Sequence, residues 1–233
     1  MHHTSCFLRP TPMRRQVVPE LLDADLGTPH EVRASLDDLR LINTLFGGVT
    51  STAKMIRKVA HETGVKNLKL LEVASGTGYV PQAATDWLAS DGITLDIALL
   101  DRAQTHLPTN GVPTFVGDAL KMPFADNSYD IVSCGLFLHH LDTDQVATFA
   151  RETLRVARRA VLISDLIRSR LHLTLAHISL PLYGSPITWH DSLASIRAAY
   201  TPDEVRPLLA NCGARKITLE HHFLFRMGII LWK

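Results

Sequence analysis

Three acidic residues and a pair of histidines stand where an alternating strand and helix chain can do chemistry. The first acid lies in Leu70-Leu71-Glu72-Val73-Ala74-Ser75-Gly76-Thr77-Gly78, an apolar run that passes into a small-residue loop and then a helical pattern. Small residues let a ligand approach the backbone, and a helix start offers N–H groups without intrahelical partners. A phosphate-binding loop would read G-x-G-x-x-G or G-x-x-x-x-G-K-[ST], and neither is present. Glu72 would also set a negative charge beside any phosphate. The bland use of these residues is a tight strand-to-helix turn. Asp101 ends the apolar run Ile97-Ala98-Leu99-Leu100. A carboxylate at a strand tip can accept both hydroxyls of a ribose, or it can cap a helix. Gly117-Asp118-Ala119 follows the next short run, its acid placed to accept from the amino group of adenine. Three acids at three successive strand ends describe a nucleoside pocket without a phosphate site.

The histidines lie in Ser133-Cys134-Gly135-Leu136-Phe137-Leu138-His139-His140-Leu141-Asp142, which leaves a fourth apolar run. Strand carboxyl ends in an open α/β sheet face the ligand crevice. A histidine of near-neutral pKa can take a proton from a phenol or enol there, worth typically about 10²–10⁴-fold in rate. The competing use is packing under, or capping, the next helix. Asp165 leaves the fifth run at the crevice rim, and Arg168 and Arg170 either bind an acidic or phenolate ligand or form a solvated face. His139, His140, His172, His177 and His190 can converge on one cavity, but no H-E-x-x-H or Cys/His ligand spacing exists, so no metal is expected. Asp142 and Asp144 read as acids at a helix start.

The elements that position these residues alternate. Residues 1–20, rich in Pro and Arg, read as an irregular arm. Pro29 behind Thr28 opens a helix that stops at Gly47-Gly48, and a second helix runs over about Ser51–Glu62. Strands follow at Leu68–Ala74, Ile93–Leu100, Pro113–Val116, Tyr129–Ser133 and Ala160–Ser164, with helices at Tyr79–Ser90 and Asp142–Arg158. Near-continuous apolar strands between helices indicate a parallel sheet covered on both faces. Residues 166–200 break the rhythm as a helix-prone insert. Pro202 then opens a helix ending at Gly213, and Ile217–His222 and Phe223–Trp232 read as two last strands. The division is an arm and helical cap over 1–64 and one doubly wound domain over 65–233.

Composition narrows the classes. With 233 residues, 46% hydrophobic and 20% charged, the chain can bury a core and is not disordered. Basic and acidic residues balance at 24 against 23, so electrostatic capture of nucleic acid or anionic membrane is not the theme. Nor do aromatic and basic residues interleave as a stacking platform. Cys6, Cys134 and Cys212 are few, odd in number and far apart, which fits a reducing compartment. No apolar stretch is long enough to span a membrane, and the first nineteen residues lack the core of a secretory signal. A cytoplasmic protein is the expectation.

In these motifs the sequence resembles the class I S-adenosylmethionine-dependent methyltransferases over about residues 65–165. Glu72-x-Ala74-x-Gly76-x-Gly78 is similar to the family's acidic glycine motif, with alanine at position 74 where glycine is usual. Asp101 is similar to its ribose acid, Gly117-Asp118-Ala119 to its adenine-side acid, and Asp126–Val132 to its fourth-strand lead-in. The resemblance implies a Rossmann-like sheet in the order 3-2-1-4-5-7-6 with the seventh strand antiparallel. It implies S-adenosylmethionine bound by Glu72, Ala74, Ser75, Gly76, Gly78, Asp101, Arg102, Gly117, Asp118, Ala119 and Cys134. Leu138-His139-His140-Leu141 resembles a segment of plant small-molecule O-methyltransferases, which implies His139 as base and His140 beside it. Trp189-His190-Asp191-Ser192 and Ser195-x-Arg197 resemble enzymes of the quinone-biosynthesis and aromatic-polyketide type, whose insert closes over the acceptor. Asp165, Arg168, His190 and Arg197 are the acceptor-side residues on that basis.

The Asn/Asp-Pro-Pro-Tyr/Phe motif of amino methylation is absent, so a small phenolic, quinol or polyketide-like acceptor is expected, at oxygen before carbon. Two other readings compete. One is a non-catalytic module that binds the cofactor for a partner protein; the other, an NAD-dependent oxidoreductase, lacks its glycine fingerprint. The N-terminal helix pair reads as a lid or as the surface of a homodimer.

Overall fold

The structure, a computed structural model, describes residues 13–24 and 26–233. Residues 1–12 of the expected arm over 1–20, with Cys6 and Arg9, lie outside the described residues. The apolar runs form strands β1 (Asn67–Val73), β2 (Thr94–Asp101), β3 (Thr114–Val116), β4 (Tyr129–Gly135), β5 (Ala157–Leu166), β6 (Lys216–His221) and β7 (Arg226–Trp232). They join one sheet in the order β3-β2-β1-β4-β5-β7-β6. Every pairing from β3 to β5 is parallel, and β7 runs antiparallel to both β5 and β6. The expected topology is therefore the observed one.

Helices α1 (Pro29–Leu45), α2 (Gly48–Thr63), α3 (Tyr79–Ala89), α4 (Thr143–Val156), α5 (Arg170–Ser179), α6 (Pro186–Ala198) and α7 (Pro202–Leu209) complete the chain. One face of the sheet is covered by α2 and α3, where Val49, Ala53, Ile56, Val59, Ala84 and Leu88 meet Leu70, Ile131 and Leu162. On the other, Val146, Phe149, Ala150 and Leu154 of α4 and Val205 and Leu209 of α7 meet Leu71, Val132 and Ile163. Each large apolar side chain buried in this way contributes about 1.5–3 kcal/mol, which is why the strands read as unbroken apolar runs.

Several boundaries differ from the sequence reading, and three of them have a plain physical reason. Strand β5 continues through Asp165 to Leu166 because its far end pairs with β7, Asp165 opposite Met227 and Leu166 opposite Arg226. Strand β7 starts at Arg226, not Phe223, because Phe223–Phe225 turn the chain, with Leu224 at φ 55. Helix α7 ends at Leu209 rather than near Gly213, with Pro207 inside it. Pro207 lacks an N–H and removes one ladder bond.

The cap and the insert meet above the carboxyl ends of the strands. Asp38 of α1 is buried and accepts from the amides of Gly184 and Ser185 and from the Thr188 hydroxyl, at 2.8–3.0 Å. Ser185 in turn donates to the Glu31 carbonyl. A buried carboxylate is tolerated only with such partners, so α1 and α6 are tied at this point.

Residues 13–20 have no regular secondary structure, as expected, but they are not loose. Arg15 donates to the carbonyls of Ala198, His139 and Leu141 at 2.7–2.9 Å and lies over the Tyr200 ring. The Leu21 and Leu22 amides donate to the two oxygens of Asp191. This segment is a strap across the strand ends, pinned on both sides.

Candidate active site

Strap, cap, insert and the carboxyl ends of β1, β2 and β4 enclose one cavity of about 890 Å³. That volume lies toward the upper end of the roughly 300–1,000 Å³ usual for small-molecule sites. Its floor is the loop after β1. Glu72 is buried, and its carboxylate accepts from the Ser133 hydroxyl of β4. Burial pushes the carboxyl up to about 7, against the opposing Ser133 hydrogen bond. Ala74 and Gly76 both have positive φ, 52 and 49. A Cβ at Gly76 would meet nothing within 4 Å, so the loop is open on its cavity side.

Asp101 links the loop to β2. Its Oδ2 accepts from the Gly76 amide at 2.8 Å and its Oδ1 from the Ala103 amide at 2.9 Å. Each oxygen keeps a further lone pair for a ligand hydroxyl. Asp118 accepts from the Leu120 amide at 2.8 Å. Ala74, Ser75, Gly76, Asp101, Arg102, Gly117, Asp118 and Ala119 all line the cavity with Glu72. Gly78 and Cys134 are not among the lining residues. A Cβ at Gly78 would lie 2.4 Å from Leu99 Cδ1, so that glycine serves helix-to-strand packing. Cys134 is buried inside the core beneath the loop.

The opposite wall carries the histidines on a 3₁₀ turn after β4, Leu138–His140. His139 is 2% exposed, and its Nδ1 lies 2.8 Å from Asp165 Oδ1 at the end of β5. Asp165 also accepts from the His139 amide at 3.1 Å, so ring and backbone are held by one carboxylate. His139 Nε2 faces Glu20 of the strap at 3.3 Å, close enough for an ion pair but outside hydrogen-bond geometry. Burial opposes charge on the ring, yet Asp165 and Glu20 together outweigh it and raise His139 to about 10. His140 Nδ1 lies 3.0 Å from Asp23 Oδ2.

The other acceptor-side residues are placed differently from the sequence reading. Asp165 does not line the cavity; it orients His139. Arg168 is buried away from the cavity lining, and its guanidinium donates to the Met13 and Ala199 carbonyls and to Glu204, a structural use. His190 is turned to Asp191, and Arg197 contributes its carbonyl to Gln16 of the strap; neither lines the cavity. His172 does line it, stacked on Phe225, with burial pushing its ring down to about 4, while His177 does not. Sequence reasoning did not foresee Glu20, Asp23 or Asp191, because no local pattern marks a residue whose partner is distant in the chain.

Residues 71–163 match the family model described as a methyltransferase domain. The sheet order is that of the class I S-adenosylmethionine-dependent methyltransferase fold, and the match places a methyltransferase domain over residues 71–163. The chain is similar to the demethylmenaquinone methyltransferase of Roseiflexus sp., 32% identical over 93 residues, which is 39% of this chain and 38% of that protein. It is also similar to the ubiquinone/menaquinone biosynthesis C-methyltransferase UbiE of Paraburkholderia phytofirmans, 28% identical over 144 residues, 59% of this chain and 58% of that one. The chain thus spans less than two thirds of the length of these relatives. Human N-acetylserotonin methyltransferase, solved with S-adenosylmethionine, shares the fold at a TM-score of 0.59 and 15% identity, over 87% of this chain and 56% of that one. Among the described residues no helix is long and apolar enough to cross a membrane.

The floor of the cavity fits the cofactor of this class on its own geometry. Ser75 Oγ is buried without a hydrogen-bond partner among the described residues, a group that a ligand can satisfy. The open side of Gly76 lets a nucleoside approach the backbone, and Asp101 and Asp118 retain acceptor capacity for its hydroxyls and amino group.

Proposed function

We propose that the protein transfers the methyl group of S-adenosylmethionine to a small phenolic, quinol or polyketide-like acceptor, releasing S-adenosylhomocysteine. The observation that carries this reading is one cavity with two unlike walls, Glu72, Asp101 and Asp118 on one and the Asp165-held His139 on the other. Bound there, the cofactor supplies an electrophilic methyl group. The chain's own residues do the rest. Glu72 sets a carboxyl beside the cationic end of the ligand, and Asp101 and Asp118 fix its nucleoside. Leu36, Leu39 and Ile42 of α1 and Leu175 and Ala176 of α5 close the other sides of the cavity, which excludes water and aligns the reacting groups.

His139 is the acceptor-side group. With Glu20 against Nε2 its ring keeps a proton up to about pH 10 and cannot take another. When an acceptor hydroxyl arrives in place of Glu20, the Nε2 proton leaves with the departing Glu20 carboxyl, and the neutral ring, still oriented by Asp165, becomes a base at Nε2. The phenolate so formed is nucleophilic at oxygen and at the adjacent ring carbon. Transfer to oxygen is the first reading, since the base then serves the attacking atom itself. Transfer to carbon is the second, favoured by the name of the C-methyltransferase relative.

The test is transfer of label from methyl-labelled S-adenosylmethionine to a panel of phenols, quinols and β-diketones, with products assigned by NMR. A labelled methoxy or ring-methyl product supports the reading. S-adenosylhomocysteine binding with no transfer to any member would favour a non-catalytic cofactor-binding module instead.

A further inference from the structure

The strap brings a third group to the histidine pair. The two carboxylate oxygens of Glu20 lie 3.3 Å from His139 Nε2 and 3.9 Å from His140 Nε2. One ligand atom from each residue lies within 4.8 Å of the others. Two histidines adjacent in sequence seldom share a target, but here the 3₁₀ turn tilts the rings only 32° apart with centroids at 4.3 Å. Their outer nitrogens are treated alike. His139 Nδ1 is 2.8 Å from Asp165 and His140 Nδ1 is 3.0 Å from Asp23. A carboxylate on one imidazole nitrogen fixes that nitrogen as the N–H donor and leaves the lone pair on the other, the arrangement that supports metal-ligating histidines.

Two further facts point to an ion. His139 Nε2 is buried and has no hydrogen-bond partner among the described residues, though it is aimed at the cavity. The charge that faces the two rings is acidic: Glu20, Asp23 and Asp165. Arg15 donates to the backbone carbonyls of His139, Leu141 and Ala198, and Arg102, on the loop side of the cavity, acts on Asp23. Spacing agrees. Two nitrogen or oxygen ligands about 2.0–2.1 Å from a tetrahedral zinc ion stand roughly 3.3 Å apart. The pairs here need at most a small rotation of Glu20 or His140.

We propose that Glu20, His139 and His140 form a three-ligand site for a divalent transition-metal ion, zinc by donor type, with the fourth position open to the acceptor end of the cavity. Its ligand there would be a hydroxyl oxygen, whose proton passes to solvent as the oxyanion binds; without the ion, His139 takes that proton itself. The reading of this end as the acceptor end rests on the proposed function, but the ion site does not require it.

Metal titration separates the two. Full-length protein, dialysed against a chelator, is titrated with Zn²⁺ alone by calorimetry and with Co²⁺ alone by visible absorption. One ion per chain is expected, with the intense bands of tetrahedral Co²⁺. Glu20→Gln and His140→Ala should each weaken binding at least tenfold, and Asp23→Asn about tenfold, as expected when a carboxylate supporting a ligating histidine is removed. His177→Ala, outside the cavity, should leave binding unchanged. Circular dichroism confirms that each variant is folded. Absence of the bands, or binding that none of the three site variants alters, would overturn the site and leave a proton shared between carboxylates. S-adenosylhomocysteine binding without Zn²⁺ binding refutes the ion site alone; the reverse refutes the methyltransfer reading alone.

Discussion

Replacing Glu72 by glutamine should make the protein harder to unfold at pH 8 yet leave it almost unchanged at pH 5. A glutamate in the unfolded chain ionises near 4.5, and the buried Glu72 near 7. Between those values the folded state holds a proton that the unfolded chain has released, so stability falls as pH rises. Below 4.5 both states are protonated and the carboxyl has no electrostatic cost. Above 7 the full cost is present, a ceiling of about 3 kcal/mol at ~1.4 kcal/mol per pKa unit. Glutamine keeps an oxygen to accept from Ser133 but adds an NH₂ that can lack a partner, which returns about 1 kcal/mol. The expected gain is therefore about 2 kcal/mol at pH 8, read from urea unfolding. Equal effects at both pH values would mean that Glu72 is ionised throughout and that the account of its burial is wrong.

The same carboxyl should report on the ligand. At pH 6.5 about three quarters of the protein carries Glu72 protonated, given a value near 7. A ligand with a cationic group beside Glu72 favours its ionised form, so S-adenosylhomocysteine should bind with release of up to about 0.7 proton at that pH and almost none at pH 8.5. Calorimetry in two buffers of different ionisation enthalpy measures this directly. Proton uptake, or release that persists in Glu72→Gln, would place the cationic end of the ligand elsewhere.

The remaining expectations are separate. Asp101→Asn should weaken S-adenosylhomocysteine by about 10- to 100-fold, the value of hydrogen bonds to a charged acceptor, in the same titration. Gly76→Ala and Gly78→Ala both place a side chain at positive φ, which costs about 1–2 kcal/mol. Only the second also meets Leu99, so its melting temperature should fall further, by an overpacking cost of about 1–3 kcal/mol. His139→Ala should lower kcat by about 10²–10⁴-fold and leave S-adenosylhomocysteine affinity intact. Arg15→Ala removes three bonds to carbonyls, and the Leu21 and Leu22 amides should then exchange with solvent faster, measured by hydrogen exchange.

What sequence reasoning recovered and what it missed divide along chain separation. The floor of the cavity was legible because its chemistry is local. Glu72 to Gly78 is one strand-to-loop passage, and Asp101 and Asp118 sit at the ends of runs whose apolar pattern already declares them strands. Once those runs are paired in parallel, the three acids share an edge whatever else the chain does. Gly78 is a less legible case, for a related reason. A glycine required by the Leu99 side chain and a glycine required by a ligand look identical in sequence, and only the 2.4 Å contact tells them apart. Arg168 is a similar case: nothing in Ile167-Arg168-Ser169 reveals that its guanidinium bonds to Met13, Ala199 and Glu204.

The other wall depends on pairs that no local pattern can announce. Arg15 reaches the His139 carbonyl across 124 positions, and Leu21 reaches Asp191 across 170. An irregular arm has no hydrophobic period from which to read its docking, because its own backbone and side-chain polar groups attach it here, not a buried apolar stripe. Yet this segment decides the chemistry of His139. Without Glu20 the ring has one carboxylate and a free Nε2; with Glu20 it has two and is held as a cation. The same sequence motif, Leu138-His139-His140-Leu141, therefore supports a base, an imidazolium or a metal ligand, and the strap selects among them. It follows that variants of the strap, not of the glycine loop, should change the pH profile of transfer while leaving cofactor affinity alone. Glu20→Gln is the decisive one: if kcat keeps the same pH dependence with and without that carboxylate, the strap covers the cavity but does not set its chemistry.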